Sequence, residues 1–275
     1  MLNQQTIEKL YTMKLNAMAE AFKQQMDSPD FSELAFPERF GLLVDRQWAW
    51  KENRRMQRLL KNAKLKINAC VEDIDYRSPR GLDKSVLMNL ISCDWIRKHQ
   101  NLILTGATGV GKTFIACALA NKACREGFSA FYARAPRFYY DLAIAKADGS
   151  YPKFFSKLAK TQLLVLDDLG VSPMTDPERR NLLEVIEDRN ESASTLVASQ
   201  LPLEKWFEII GEPTIADAIL EAFLAGAAQE REDTELEPTE HDRTPVDEVH
   251  VVFTRFRWPK SPGTGGRFGL EQVAE

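Results

Sequence analysis

Gly106-Ala107-Thr108-Gly109-Val110-Gly111-Lys112-Thr113 is the stretch that decides how this chain is read. It fits the pattern G-x-x-x-x-G-K-[ST] at every defined position. The apolar run Leu102-Ile103-Leu104 precedes it and a helical run, Phe114 to Ala123, follows it. A loop so placed is expected to join a buried strand to a helix. Its glycines let the backbone turn tightly and bring successive N–H groups toward phosphate oxygens. The helix behind it aims a positive end at the same anion. Gly106, Ala107, Thr108, Gly109, Val110 and Gly111 are therefore expected to cradle a nucleoside triphosphate. Lys112 should reach its β- and γ-phosphates, and the Thr113 hydroxyl should bind the accompanying Mg²⁺. An ordinary Gly-rich strand–helix turn has no need of the Lys-Thr pair.

A second carboxylate-bearing strand completes the pattern. Leu163-Leu164-Val165-Leu166 is a continuous apolar run, as a strand buried on both faces requires, and it ends in Asp167-Asp168. Charges at that end emerge at the ligand-binding edge of a parallel sheet. Asp167 is expected to hold Mg²⁺, directly or through water, and Asp168 to orient and activate the attacking water. A third run, Thr195-Leu196-Val197-Ala198, ends in Ser199-Gln200, whose polar groups are expected to meet the γ-phosphate, Gln200 ahead of Ser199. Ser129 to Ala133 reads as a further strand. The alternation of strands and helices over residues 101–200 is that of a doubly wound parallel α/β sheet.

The chain has 275 residues, enough for one domain of about 150 residues with appendages. No stretch approaches the ~18 apolar residues of a membrane span, and the polar N-terminus lacks a signal-peptide shape, so a cytoplasmic protein without membrane contact is expected. The four cysteines show no C-x-x-C spacing and only three histidines are present, which argues against a zinc site. Cys117 and Cys124 read as core thiols.

The formal net charge of −4 conceals an asymmetry. Residues 46–66 carry Arg46, Lys51, Arg54, Arg55, Arg58, Lys61, Lys64 and Lys66 against Glu52 alone, whereas residues 221–250 carry ten acids against Arg231 and Arg243. Met56, Leu59, Leu60, Ala63 and Ile67 fall at helical spacing on one face, which leaves Lys51, Arg54, Arg58 and Lys61 on the opposite one. With Arg55, these are the expected contacts to a DNA backbone, bound by neutralised charge and released counterions. Lys153, Lys157 and Lys160, beside Tyr151, Phe154 and Phe155, form a second basic segment that also suits nucleic acid, with aromatics that suit a core equally well. An earlier helix is expected from about Thr6 to Met26, with Leu10, Met13, Ala17 and Ala21 on one side, and a new helix is expected to start at Pro37.

Tyr11-Thr12-Met13-Lys14-Leu15, the phosphate loop, Ala147-Asp148-Gly149-Ser150, Leu166-Asp167-Asp168-Leu169-Gly170 and Ser199-Gln200-Leu201-Pro202-Leu203-Glu204-Lys205-Trp206 together resemble the IstB family. These are ATP-binding helper proteins of bacterial insertion sequences, similar to DnaC-type helicase loaders and of the AAA+ class of P-loop ATPases. The resemblance covers residues 1 to about 220. It implies a helical N-terminal domain (1–75) for DNA and partner, an AAA+ ATPase domain (76–220), and a homo-oligomer that assembles on double-stranded DNA and stimulates a cognate transposase. It also leaves two alternatives: a replicative helicase loader, and a catalytically weak ATP- and DNA-binding module. The family pattern places an arginine one residue after the acid that follows Leu220, as a finger into a neighbour's ATP. Here Glu221 is followed by Ala222. Residues 221–275, acidic and then Pro/Gly-rich, are expected to be disordered and to derive from a frameshift or fusion.

Overall fold

The computed structural model describes residues 2–75, 84–224 and 250–254. Its centre is a sheet of β1 (Asn101–Thr105), β2 (Ala130–Arg134), β3 (Leu163–Leu169), β4 (Ser194–Ser199) and β5 (His250–Thr254) in the order β2-β3-β4-β1-β5. The first four run parallel, and β5 joins β1 antiparallel. Four apolar runs of the sequence thus become the four parallel strands. Side chains alternate across a strand, so each run supplies both faces. Leu102, Leu104 and Val165 enter one core, while Ile103, Leu164 and Leu166 enter the other. This is the expected P-loop doubly wound α/β fold.

One face is covered by α6 (Lys112–Arg125), which the phosphate loop starts, and by α4 (Lys84–Ile91) and α5 (Asp94–Arg97). Ile115 to Ala120 are all buried, because α6 lies between the sheet and the N-terminal helices. The other face carries α7 (Ala135–Ala147), α8 (Tyr151–Ala159), α9 (Asp176–Arg189), α10 (Trp206–Ile210) and α11 (Pro213–Leu224). Arg189 fastens this layer from inside. It is 1% exposed, and its guanidinium donates to the carbonyls of Leu158, Thr161 and Ser194 and to the Thr195 hydroxyl.

The N-terminal region is helical as expected, with two differences. The first helix is broken into α1 (Leu2–Thr12) and α2 (Asn16–Asp27) by Lys14, whose φ of 60° lies in the left-handed region, and Met13 turns to solvent. The long α3 (Phe36–Ala63) starts at the Pro37 turn, where the Glu38 side chain accepts the Ala35 amide. At 28 residues it spans about 42 Å. It stops at Lys64, which is left-handed, so Ile67 lies beyond the helix and off its apolar face. Leu59, Leu60 and Ala63 pack against α6 together with Ala69, Val71 and Ile74.

Of the segment expected to be disordered, most lies outside the described residues. Within the described part, α11 continues through Glu221 to Leu224, with Phe223 fully buried edge-to-face on Trp206, and residues 250–254 form β5. Cys93, Cys117 and Cys124 are buried thiols, and burial pushes Cys93 and Cys124 up to about 11. Among the described residues no helix is long and apolar enough to cross a membrane.

Candidate nucleotide-binding site

The phosphate loop leaves the buried end of β1 and enters α6 through three glycines with positive φ: Gly106 (147°), Gly109 (90°) and Gly111 (101°). L side chains rarely adopt these values, which explains why glycine recurs here. Lys112 begins the helix. Its ammonium donates to the carbonyls of Gly106 at 2.7 Å and Ala107 at 2.6 Å, so it lies across its own loop. Burial lowers its pKa, against a smaller upward pull from Asp167 and Asp168. A phosphate reaching the loop would restore the charge balance that burial opposes.

Thr113, one residue on, donates its hydroxyl to Asp167 Oδ2 at 2.8 Å. The loop and the acidic strand are thereby joined. Asp167 is 1% exposed and accepts two more hydrogen bonds, from the Tyr132 hydroxyl at 2.6 Å and from the Asp168 amide at 3.0 Å. A buried carboxylate held by three donors is fixed in position. Burial raises the Tyr132 pKa strongly, and its bond to Asp167 adds to the effect, so it remains a donor across the ordinary pH range.

Asp168 has a different setting. Leu166 pairs with Val197 but Leu169 pairs with Ser199, so Asp167 and Asp168 together oppose Ala198 alone. This is a bulge, and Asp168 has a φ of 60°, uncommon for a residue other than glycine. The bulge re-aims the second acid toward β2, where Arg134 Nε donates to Asp168 Oδ2 at 2.7 Å. The bond to Asp168 raises the Arg134 pKa further.

Because β4 lies between β1 and β3, its end falls between the loop and the acids. Exposed Gln200 accepts a hydrogen bond from Thr108 of the loop at 2.8 Å. Ser199 ends β4. It is fully buried, its hydroxyl donates to the Leu169 carbonyl at 2.8 Å and it accepts the Leu201 amide, so it ties β4 to β3 and to the loop that follows. Tyr132 and Arg134 join the site from β2, although in the sequence they read only as strand residues.

A profile of the IstB-like ATP binding protein family matches residues 8–229. The chain belongs to that family. It is 46% identical over 227 residues to an insertion-sequence ATP-binding protein, y4pL, of Sinorhizobium fredii, covering 82% of this chain and 93% of the relative. It is 48% identical over 203 residues to the insertion sequence IS1162 ATP-binding protein of Pseudomonas fluorescens, covering 74% and 88%. Among solved structures it is similar to the DnaC helicase loader, with 20% identity and a TM-score of 0.44 over 50% of this chain and 83% of that one. Membership of the IstB-like ATP binding protein family supports ATP binding by this chain.

The expected DNA-contact residues lie on α3. Lys51, Arg54, Arg58 and Lys61 are exposed along one side. Arg54 sits over the Trp50 ring, 4.7 Å from its centroid. Arg55 differs from its neighbours, because its guanidinium donates to the Gly127 carbonyl at 3.2 Å and so fastens α3 to the end of α6. Ala222, the position for which the resemblance implies an arginine, is 8% exposed within the second core, and its carbonyl accepts from Asn101.

Proposed function

We propose that this chain is the ATP-hydrolysing helper of an insertion-sequence transposase, a cytoplasmic protein that assembles with copies of itself on duplex DNA and stimulates transposition. The observation that carries the reading is the Lys112–Thr113–Asp167 constellation, with Thr113 bonded to Asp167 at 2.8 Å in a chain of the IstB-like family. The insertion-sequence relatives supply the biological setting.

The residues divide the work as follows. The loop amides from Gly106 to Gly111 and the α6 N-terminus take the phosphate oxygens. Lys112 exchanges its loop carbonyls for the β- and γ-phosphates. Thr113 and Asp167 offer hard oxygen donors, and the Thr113 hydroxyl keeps lone pairs free while it donates to Asp167. That set fits Mg²⁺, which binds through one or two carboxylates plus substrate phosphates, and the ion would neutralise charge on the triphosphate. Asp168 orients the attacking water and accepts its proton. Gln200, already bonded to loop residue Thr108, senses the γ-phosphate. Lys51, Arg54, Arg58 and Lys61 meet DNA phosphates, and Arg55 holds α3 in place.

A second reading is an ATP-binding switch that hydrolyses slowly, and Ala222 favours it. An interface arginine contributes about 10³- to 10⁵-fold in related systems, and Ala222 supplies none. Steady-state ATP hydrolysis, with and without duplex DNA, decides between the two, with Lys112→Ala as control. Turnover that rises with DNA and disappears in the control supports the helper reading. ATP binding with negligible turnover under both conditions supports the switch. Failure of the wild type to bind ATP refutes both.

A further inference from the structure

Two basic segments far apart in the chain meet at the β2 edge of the sheet. The end of α3 brings Lys61 and Lys64, and α8 with its C-terminal cap brings Lys153, Lys157 and Lys160. All five line one groove of about 680 Å³, and Phe131 of β2 lines it with them. Lys157 Nζ lies 4.5 Å from the Phe131 ring centroid, and Lys64 Nζ lies 5.9 Å from it. No carboxylate among the described residues lines the groove.

Several cations elsewhere in the fold have carboxylate partners: Lys122 with Glu126, Arg125 with Glu72, Arg134 with Asp168, Arg137 with Asp141. None of the five groove lysines forms an ion pair among the described residues. Helix C-termini favour cations, which accounts for Lys61 and Lys157 in last turns. It does not account for Lys153, which sits in the first turn of α8, where the helix dipole disfavours a cation. The Lys157 pKa is lowered by burial first and by Lys64 second. The folded chain thus concentrates like charge around a concavity without offsetting it, and an anion from outside would do so.

We propose that this groove binds the phosphodiester backbone of duplex DNA, extending onto the ATPase sheet the track that starts with Lys51, Arg54 and Arg58 on α3. The inference rests on the DNA-binding reading above, shares Lys61 with it, and adds Lys64, Lys153, Lys157 and Lys160. DNA seated on both segments would touch α3, α8 and strand β2, whose Tyr132 and Arg134 hold the two acids. Phosphate contacts of this kind carry no sequence information; they position the duplex.

The test is the salt dependence of binding by full-length protein to a fluorescent duplex of random sequence. Three forms are compared: wild type, the triple variant Lys153→Gln/Lys157→Gln/Lys160→Gln, and the α3 variant Arg54→Gln/Arg58→Gln. Removing one lysine–phosphate interaction flattens the slope of log K against log salt by roughly 0.9. The groove variant is expected to flatten the slope by about 2 to 3, which a merely structural role for these lysines would not produce. A slope unchanged in the groove variant but flattened in the α3 variant overturns the groove and leaves the DNA-binding reading intact. A wild type that binds no duplex overturns both. Unchanged duplex binding with weakened binding of inorganic polyphosphate overturns the assignment to DNA. If the triple variant does not fold, lysine acetylation of the wild type serves instead: protection of Lys153, Lys157 and Lys160 by duplex supports the groove, and undiminished labelling overturns it.

Discussion

Tyr132→Phe isolates one hydrogen bond at the centre of the site. The ring is 6% exposed and stays in place in the variant, so no cavity opens and only the hydroxyl is removed. That hydroxyl donates to Asp167 Oδ2 at 2.6 Å. A hydrogen bond to a charged group contributes about 1.5–3 kcal/mol. Asp167 keeps Thr113 and the Asp168 amide, which places the expected loss at the lower end, about 1.5–2 kcal/mol. For a domain of 150–250 residues this lowers the melting temperature by roughly 3–8 °C. The pH dependence gives a sharper signature. The Tyr132 pKa is raised in the folded state, so its contribution is complete below the unfolded tyrosine pKa of about 10 and falls as pH rises beyond it. The phenylalanine ring of the variant cannot titrate, whereas Tyr139 and Tyr151 are common to both proteins and cancel. The difference between wild type and Tyr132→Phe, measured by urea unfolding from pH 7 to pH 11, should therefore narrow above about pH 10. A difference below about 0.5 kcal/mol at neutral pH, or one independent of pH, would refute the reasoning.

Arg134→Gln should change stability by less than about 1 kcal/mol, because the Arg134 side chain is 53% exposed, yet ATP turnover should change several-fold; unaltered turnover would remove Arg134 from the control of Asp168. Arg189→Met leaves the carbonyls of Leu158, Thr161 and Ser194 without their donor and should cost about 3 kcal/mol or more, read as a lowered urea midpoint; a variant as stable as wild type would show that these groups find other partners.

What is legible in the sequence is local. The phosphate loop, the strand before it and the helix after it are one continuous pattern, and Leu163 to Asp168 announces a buried strand with an acidic end. What is not legible depends on neighbours across the sheet. Tyr132 and Arg134 acquire their roles because β2 lies beside β3, and no spacing within β2 encodes that adjacency. The break at Lys14 is masked because apolar periodicity runs through it from Leu10 to Ala21. β5 is masked for the opposite reason. His250-Val251-Val252-Phe253-Thr254 carries a good strand signal, but it is short and set among acidic and Pro/Gly-rich residues whose composition outweighs it. The lysine groove joins two segments that are each visible in the sequence, and only the fold brings them together.

The pair Asp167-Asp168 shows how two identical adjacent residues receive different surroundings. In an unbroken strand their side chains would point to opposite faces, and at most one would serve the loop. The bulge changes that. Asp167 is buried and fixed by Thr113, Tyr132 and a backbone amide, a setting that holds a carboxylate in place for a cation. Asp168, left-handed and partly open, faces the half-exposed guanidinium of Arg134. A carboxylate that must accept a proton needs access and a partner it can exchange, and only the second position has both. This is the reason for proposing the cation for Asp167 and the water for Asp168, and on that proposal control of the reacting acid lies in β2, the strand that also lines the lysine groove.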